Sequence, residues 1–222
     1  METVSPPARR HQRNARGQGA RLTGDIVSGA VAVIEREGSA EAVTLRAVAR
    51  QIGIAAPSIY AHFPDRDAIV MAVVTRVFDE LAAAISGGTE AAGPGPVGRL
   101  VAGCEAYVGF GLAHPARYGV LFSARRAQDY EDYEAAGHGA CGRPALAFGS
   151  EAFGLLVSAI EDCVSAGGCA STDVVADATA LWVGCHGTVS LRTALASRFP
   201  WPEPGGFVRG LALTLAKITV TE

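Results

Sequence analysis

Lysine is almost missing from this chain: Lys217 stands alone, and arginine supplies the rest of the 19 basic side chains. No uninterrupted apolar run approaches the roughly 18 residues of a membrane span, and the Arg-rich start lacks the apolar centre of a signal peptide, so a cytoplasmic protein is expected. The five cysteines, Cys104, Cys141, Cys163, Cys169 and Cys185, are odd in number and form no CxxC pair. A disulfide framework and a structural zinc site are therefore both disfavoured, and buried free thiols are expected. Phosphate-binding glycine loops, a GxSxG elbow and paired catalytic carboxylates are also missing. His114, His138 and His186 have no ligand spacing, and Cys185 and His186, adjacent on a helix, point about 100° apart. No catalytic residue, metal or cofactor is expected.

What is present is 49% hydrophobic, enough to bury a core, with a net charge of −3 that is unevenly spread. Arg9, Arg10, Arg13, Arg16 and Arg21 face only Glu2 in the first 22 residues, leaving the remainder acidic. Such asymmetry suits a basic arm beside an anionic polymer, although short basic tails are also common.

Apolar residues recur with helical spacing and nowhere alternate as strands do, which predicts an all-α fold. A first helix is predicted over Thr23 to Glu37, with Thr23 as N-cap, Ile26, Ala30, Val33 and Ile34 as its stripe, and Gly38 as its end. A second runs from Thr44 to Ile52, a third from Ala56 to His62 with Pro57 in its first turn, and a fourth from Asp65 to just before Gly87. The Gly-, Pro- and Ala-rich stretch from Gly87 to Gly95 reads as an interdomain loop. Helices follow over Pro96 to Ala113, Pro115 to Ala124, Pro144 to Ala166, Thr172 to Ala196 and Pro204 to Thr219, with an irregular segment at 126–144. The last two are apolar over so much of their surface that a partner chain is expected against them. Three parts result: a basic arm (1–21), an N-terminal three-helix domain (22–86) and a larger helical domain (96–222).

The run from Thr44 to Phe63 combines an amphipathic helix, a glycine turn and a second short helix, the pattern of a helix-turn-helix. Gly53 supplies the positive φ of the turn, Ala49 permits close helix approach, and Ile54 and Ile59 anchor the second helix. Ala56, Pro57, Ser58, Tyr60 and His62 are left outward, mostly short enough to let the backbone enter a major groove.

Residues 22 to 86 resemble the DNA-binding domain of the TetR family of bacterial repressors, through Gly38, the helix Thr44 to Ile52, Gly53-Ile54, the run Ser58-Ile-Tyr-Ala-His-Phe63 and Asp65-Arg-Asp67. The resemblance implies a homodimer whose paired recognition helices enter successive major grooves of a palindromic operator in double-stranded DNA. It implies that Arg46 reaches a base edge or phosphate, that Ala56, Pro57 and Ser58 meet bases, and that Tyr60 and His62 bond phosphates. Thr44 and Arg66 would touch the backbone. Tyr60 and His62 could equally seal the module's own surface, and Arg46 and Arg50 could form a solvated face.

The run Trp182-Val-Gly-Cys-His186-Gly187 is similar to the Trp, His-Gly signature of one TetR subgroup, called WHG. Trp182 and His186, four residues apart, share a helix face. With Tyr107, Phe110, His114, Tyr118 and Phe122 they could line an apolar cavity for a small organic effector, or they could pack a core or a dimer face. The function implied is a dimeric repressor released from its operator by that effector. Activation in place of repression, or a helical ligand-binding protein that keeps the module without operator specificity, are the other readings.

Overall fold

The computed structural model describes residues 18–122, 145–196 and 198–219. The arm as far as residue 17 and the segment predicted to be irregular lie outside the described residues. Among those described the fold is all-helical, apart from one antiparallel bridge between Cys169 and Ile218. The helices are α1 (Gln18–Glu37), α2 (Leu45–Ile52), α3 (Arg66–Ala91), α4 (Pro96–Ala113), α5 (Pro115–Leu121), α6 (Ala145–Ser165), α7 (Val174–Ala194) and α8 (Pro204–Leu215).

The predicted stripe of α1 (Ile26, Ala30, Val33 and Ile34) is buried, and Gly38 closes the helix by donating its N–H to Ile34 O at 2.7 Å. The start of α1 differs from the expectation: it begins at Gln18, which places Thr23 inside the helix and makes residues 18–21 of the predicted arm its first turn. Thr44 does cap α2, its hydroxyl accepting from the Ala47 N–H at 3.0 Å. Gly53 ends α2 at φ 72°, a conformation that costs a residue with a Cβ about 1–2 kcal/mol.

The predicted third helix over Ala56 to His62 is corrected to a 3-10 turn, Ala56–Ser58, followed by further turns. Two prolines explain this. Pro57 contributes no N–H, and Pro64 pushes Phe63 out of helical geometry, so Ser58 and Ile59 instead bond three residues back, to Ala55 O and Ala56 O. Ile59 and Phe63, both buried, pin this turn to the N-terminal helical unit of α1, α2 and the first half of α3, the head.

The loop predicted to begin at Gly87 is also corrected, since α3 runs through Gly87 and Gly88 to Ala91. Gly88 lies where α3 crosses α4. A Cβ there would meet Ala106 Cβ at 2.9 Å and Ala102 O at 3.1 Å, so this glycine serves close helix contact and not a break. Asp65 caps α3, accepting from the Ala68 N–H at 2.8 Å.

Helices α4, α6, α7 and α8 pack on one another behind this crossing. By length and composition α7 reaches the apolarity of a membrane-crossing helix, which the criterion of an unbroken apolar run did not anticipate, because Asp177, His186 and Arg192 interrupt it. Its buried side carries Ala178, Leu181, Cys185 and Val189, whereas Val175, Val183 and Leu191, together with Phe207 of α8, are exposed.

Candidate nucleic-acid interface and the C-terminal aromatic cluster

The N-terminus of α2 and the turn after it present the residues predicted to meet DNA. The Thr44 oxygen already accepts the cap bond, which leaves its O–H to donate outward. Arg46 and Arg50 are exposed, and neither forms a hydrogen bond or ion pair with another described residue. Pro57 and Ser58 are exposed, Ala56 is half-buried, and Tyr60 is 62% exposed, unusual for an aromatic side chain in a small packed domain. His62 is half-buried and its ring is tied to α1, with Thr23 Oγ1 and His62 Nδ1 3.0 Å apart. Sequence reading missed this link, as two residues 39 positions apart leave no local signal.

Arg66 is engaged within its own domain. Its Nε donates to Val43 O at 2.9 Å, its Nη2 to Ala40 O at 3.0 Å and its Nη1 to Asp67 at 2.8 Å. The guanidinium thus clamps the loop between α1 and α2 through the Val43 carbonyl and the Ala40 carbonyl, which also accepts from the Val43 N–H.

In the C-terminal half the structure brings together five of the seven predicted aromatic and histidine residues. Tyr107 and Tyr118 share a hydroxyl–hydroxyl hydrogen bond of 2.8 Å, and the Tyr118 hydroxyl lies 2.7 Å from His186 Nδ1. Ser190 Oγ approaches His186 Nε2 at 3.3 Å, extending the chain to α7's next turn. Phe122 packs against Tyr118, His186 and Trp182 with ring centroids 4.9, 4.5 and 6.5 Å apart. Phe78 of α3 and Phe153 of α6 join the cluster at 6.5 Å from Phe122 and 6.4 Å from Trp182. Sequence reading did not place either ring in this cluster, because both come from helices distant from Phe122 and Trp182 in sequence or separated from them by a turn. Phe110 and His114 stand apart as a tilted pair, 5.2 Å between centroids.

Burial governs the chemistry of this cluster. It pushes the Tyr107 hydroxyl up to about 12, raises Tyr118 further with help from Tyr107, and lowers His186, so the imidazole is held neutral. Interaction with Cys185 of α7, together with burial, raises the Cys104 thiol. Cys104, Cys163, Cys169 and Cys185 are all free, and only Cys169 is not fully buried. Among the described residues, no group of three or more His, Cys, Asp or Glu could hold a metal.

The cluster and the head are connected through α5. Arg117, next to Tyr118, donates to Glu35 of α1 at 2.7 Å and to Glu80 of α3 at 2.9 Å. Glu80 also accepts from Arg76 at 3.0 Å, and Arg76 reaches Ser28 of α1 at 2.6 Å.

Two family profiles match separate stretches of the chain. Residues 26–73 match the family profile described as bacterial regulatory proteins of the tetR family, and residues 100–206 match the tetracyclin repressor-like C-terminal domain. A stretch of 115 residues is 31% identical to an uncharacterized HTH-type transcriptional regulator of Mycobacterium tuberculosis, spanning 52% of this chain and about half, 51%, of that relative. Among solved structures, a protein of unknown function from Rhodococcus sp. RHA1 superposes with a TM-score of 0.69 at 23% identity, over 88% of this chain and 93% of that one. The TetR family transcriptional regulator PfmR from Thermus thermophilus gives 0.63 at 15% identity, over 88% and 99%. The MbdR regulator from Azoarcus sp. CIB gives 0.61 at 16%, over 90% and 99%. These structural likenesses speak for the fold, while the two profiles jointly match more than two thirds of the sequence. The chain belongs to the TetR family of bacterial regulatory proteins.

Proposed function

We propose that the protein is a cytoplasmic, homodimeric transcriptional repressor that binds a palindromic operator and is released from it by a small organic effector. The observation that carries this reading is the exposed surface presented by Thr44, Arg46, Arg50, Ser58 and Tyr60 on a helix-turn-helix frame. In this reading residues 22–86 form the DNA-binding domain. Thr44, Tyr60 and His62 bond phosphates, Arg46 reaches a base edge or phosphate, and Ala56, Pro57 and Ser58 meet bases. So few long polar side chains in the turn leave Arg46 and DNA shape to supply much of the selectivity. Arg66 acts one step removed, by holding the loop that positions α2.

Residues 96–222 would receive the effector and the partner subunit. The exposed apolar side chains of α7 and α8 suit a second copy of the chain. Tyr107, Tyr118, Phe122, Trp182 and His186 offer an effector an apolar wall with a few polar groups, which Phe110 and His114 would extend. The Trp182 and His186-Gly187 spacing supports placement in the WHG subgroup. An effector that displaces Tyr118 shifts α5, and Arg117 carries the shift to α1 and α3. DNA affinity then falls by no more than the effector's preference for the released state, typically about 1–3 kcal/mol.

The test is selection of genomic fragments on the intact protein, followed by sequencing and binding at graded salt. A palindrome with half-sites about one helical turn, or a multiple of it, apart is the expected result. Binding to any duplex that salt erases uniformly would refute operator recognition.

A further inference from the structure

We infer that the head carries a ligand site of its own: a groove between α1 and the C-terminal end of α2 that receives a small organic cation with an apolar body. The site lies apart from the C-terminal aromatic cluster and does not depend on the operator-binding reading.

The groove has a volume of about 370 Å³, within the range of small-molecule sites, roughly 300–1,000 Å³. Two helices form it. Leu22, Asp25 and Ser28 follow one another at three-residue intervals on α1 and so share a face, while Gln51, Ile52 and Ile54 line the groove from the end of α2 and the turn beyond it. Gly29 belongs to the same lining, and a Cβ there would lie 2.4 Å from Ile52 Cγ2. The helices therefore touch at Gly29, and the groove is a concavity in packed structure and not a gap between separate helices.

Its charge selects the ligand. Arg36 and Arg76 reach groove residues, but each is already paired with a carboxylate, Arg36 with Glu37 at 2.9 Å and Arg76 with Glu80 at 3.0 Å. Their remaining bonds fix the walls: Arg36 donates to Gln51 Oε1 and Arg76 to Ser28 Oγ, both at 2.6 Å. A guanidinium only donates, so Gln51 must keep its oxygen toward Arg36 and is held back from Asp25. The Asp25 carboxylate is exposed and has no hydrogen bond or ion pair with another described residue; Arg21, one turn earlier on α1, forms none with it. A molecule whose ammonium meets Asp25 while its body covers Leu22, Ile52 and Ile54 satisfies both halves of the groove. Apolar walls beside the carboxylate strengthen that attraction over the same pair in open water, and they turn an anion away.

The experiment titrates the intact protein, labelled with carbon-13 at its isoleucine methyl groups, with phenethylammonium and with its neutral and anionic counterparts, 2-phenylethanol and 3-phenylpropanoate. Phenethylammonium should shift the Ile52 and Ile54 signals saturably and bind about fivefold more tightly than the alcohol at low salt, a preference that shrinks at high salt. The anion should give no saturable shift. Asp25→Asn should lower the affinity for phenethylammonium to that for the alcohol, whereas Asp79→Asn, at an exposed carboxylate of α3 outside the groove, should leave it unchanged. Ala32→Leu, which fills the groove from the α1 side, should weaken both probes. Equal binding of the ammonium and the alcohol, undiminished binding by Asp25→Asn, or shifts that do not saturate at Ile52 and Ile54 overturn the inference. Every outcome is read without DNA, so failure of the operator reading leaves it standing and its own failure leaves operator recognition intact.

Discussion

The head and the C-terminal cluster treat their polar groups in opposite ways. Around α2 and the following turn, Arg46, Arg50, Ser58 and Tyr60 point into solvent without described partners, and the Thr44 hydroxyl and His62 Nε2 each have hydrogen-bonding capacity to spare. Around His186 the polar groups are joined in series from the buried Tyr107 and Tyr118 to Ser190 at the surface, packed against Phe122, with Phe78 and Phe153 beside them and Trp182, 38% exposed, at the rim. A surface that reads a charged polymer keeps its donors available at little cost, because water satisfies them until the partner arrives. An enclosed cluster must satisfy its own, since a buried polar group left unpaired costs about 1–3 kcal/mol. The first region can lose side chains with little loss of stability; the second cannot.

The largest effect is expected where the body is tightest. A Cβ at Gly111 of α4 would lie 2.6 and 2.8 Å from the two Val189 methyls, with Tyr118 behind them at 3.0 Å. Gly111→Val should cost about 3 kcal/mol in urea unfolding. An unchanged midpoint would show that α7 is free to move away.

Arg46→Ala sharpens the contrast from the other side. It should reduce operator affinity about tenfold and flatten its salt dependence by about one unit of slope if the contact is to phosphate, while thermal stability stays within about 0.5 kcal/mol. A stability loss larger than the affinity loss would place Arg46 in the fold and not at the DNA.

Tyr118→Phe keeps the ring contacts and deletes both hydrogen bonds, so a loss of about 1–2 kcal/mol in unfolding is expected. Without effector, operator affinity should be unaltered. A change in DNA binding at constant stability would instead indicate that α5 biases the head even in the unliganded protein.

The smallest effect concerns pH. Burial lowers His186, so the unfolded chain takes up its proton before the folded one does. Stability supplied by the neutral imidazole is complete above the ordinary histidine value of about 6.5 and declines as pH falls from there toward the lowered value. His186→Asn should flatten that part of the stability curve; a wild-type curve of the same shape as the variant's would contradict the assignment.

Much of the head was legible because its signals are local. Thr44 bonds three residues ahead, Gly53 terminates the helix it follows, and the buried face of α1 repeats within one element, so neighbouring residues carry the whole pattern. The adjacency of Trp182 and His186 was readable for the same reason. Pro57 was read as tolerable in the first turn of a helix, yet between it and Pro64 too few residues remain to sustain one, and a tighter turn forms. Gly87 and Gly88 look like a break from their own conformational freedom, and the crossing with α4 overrides it by packing a helix that only glycine permits.

Helix content, the cap and turn of the helix-turn-helix and the apolar stripes thus follow from chemistry that acts over a few residues. The contacts on which the proposed function depends join distant segments: Thr23 to His62, Arg66 to the α1–α2 loop, Arg117 to Glu35 and Glu80, and Tyr118 to His186. A hydroxyl or guanidinium has many possible partners along a chain, and which one it meets is settled when the buried faces dock and leave specific polar atoms within reach.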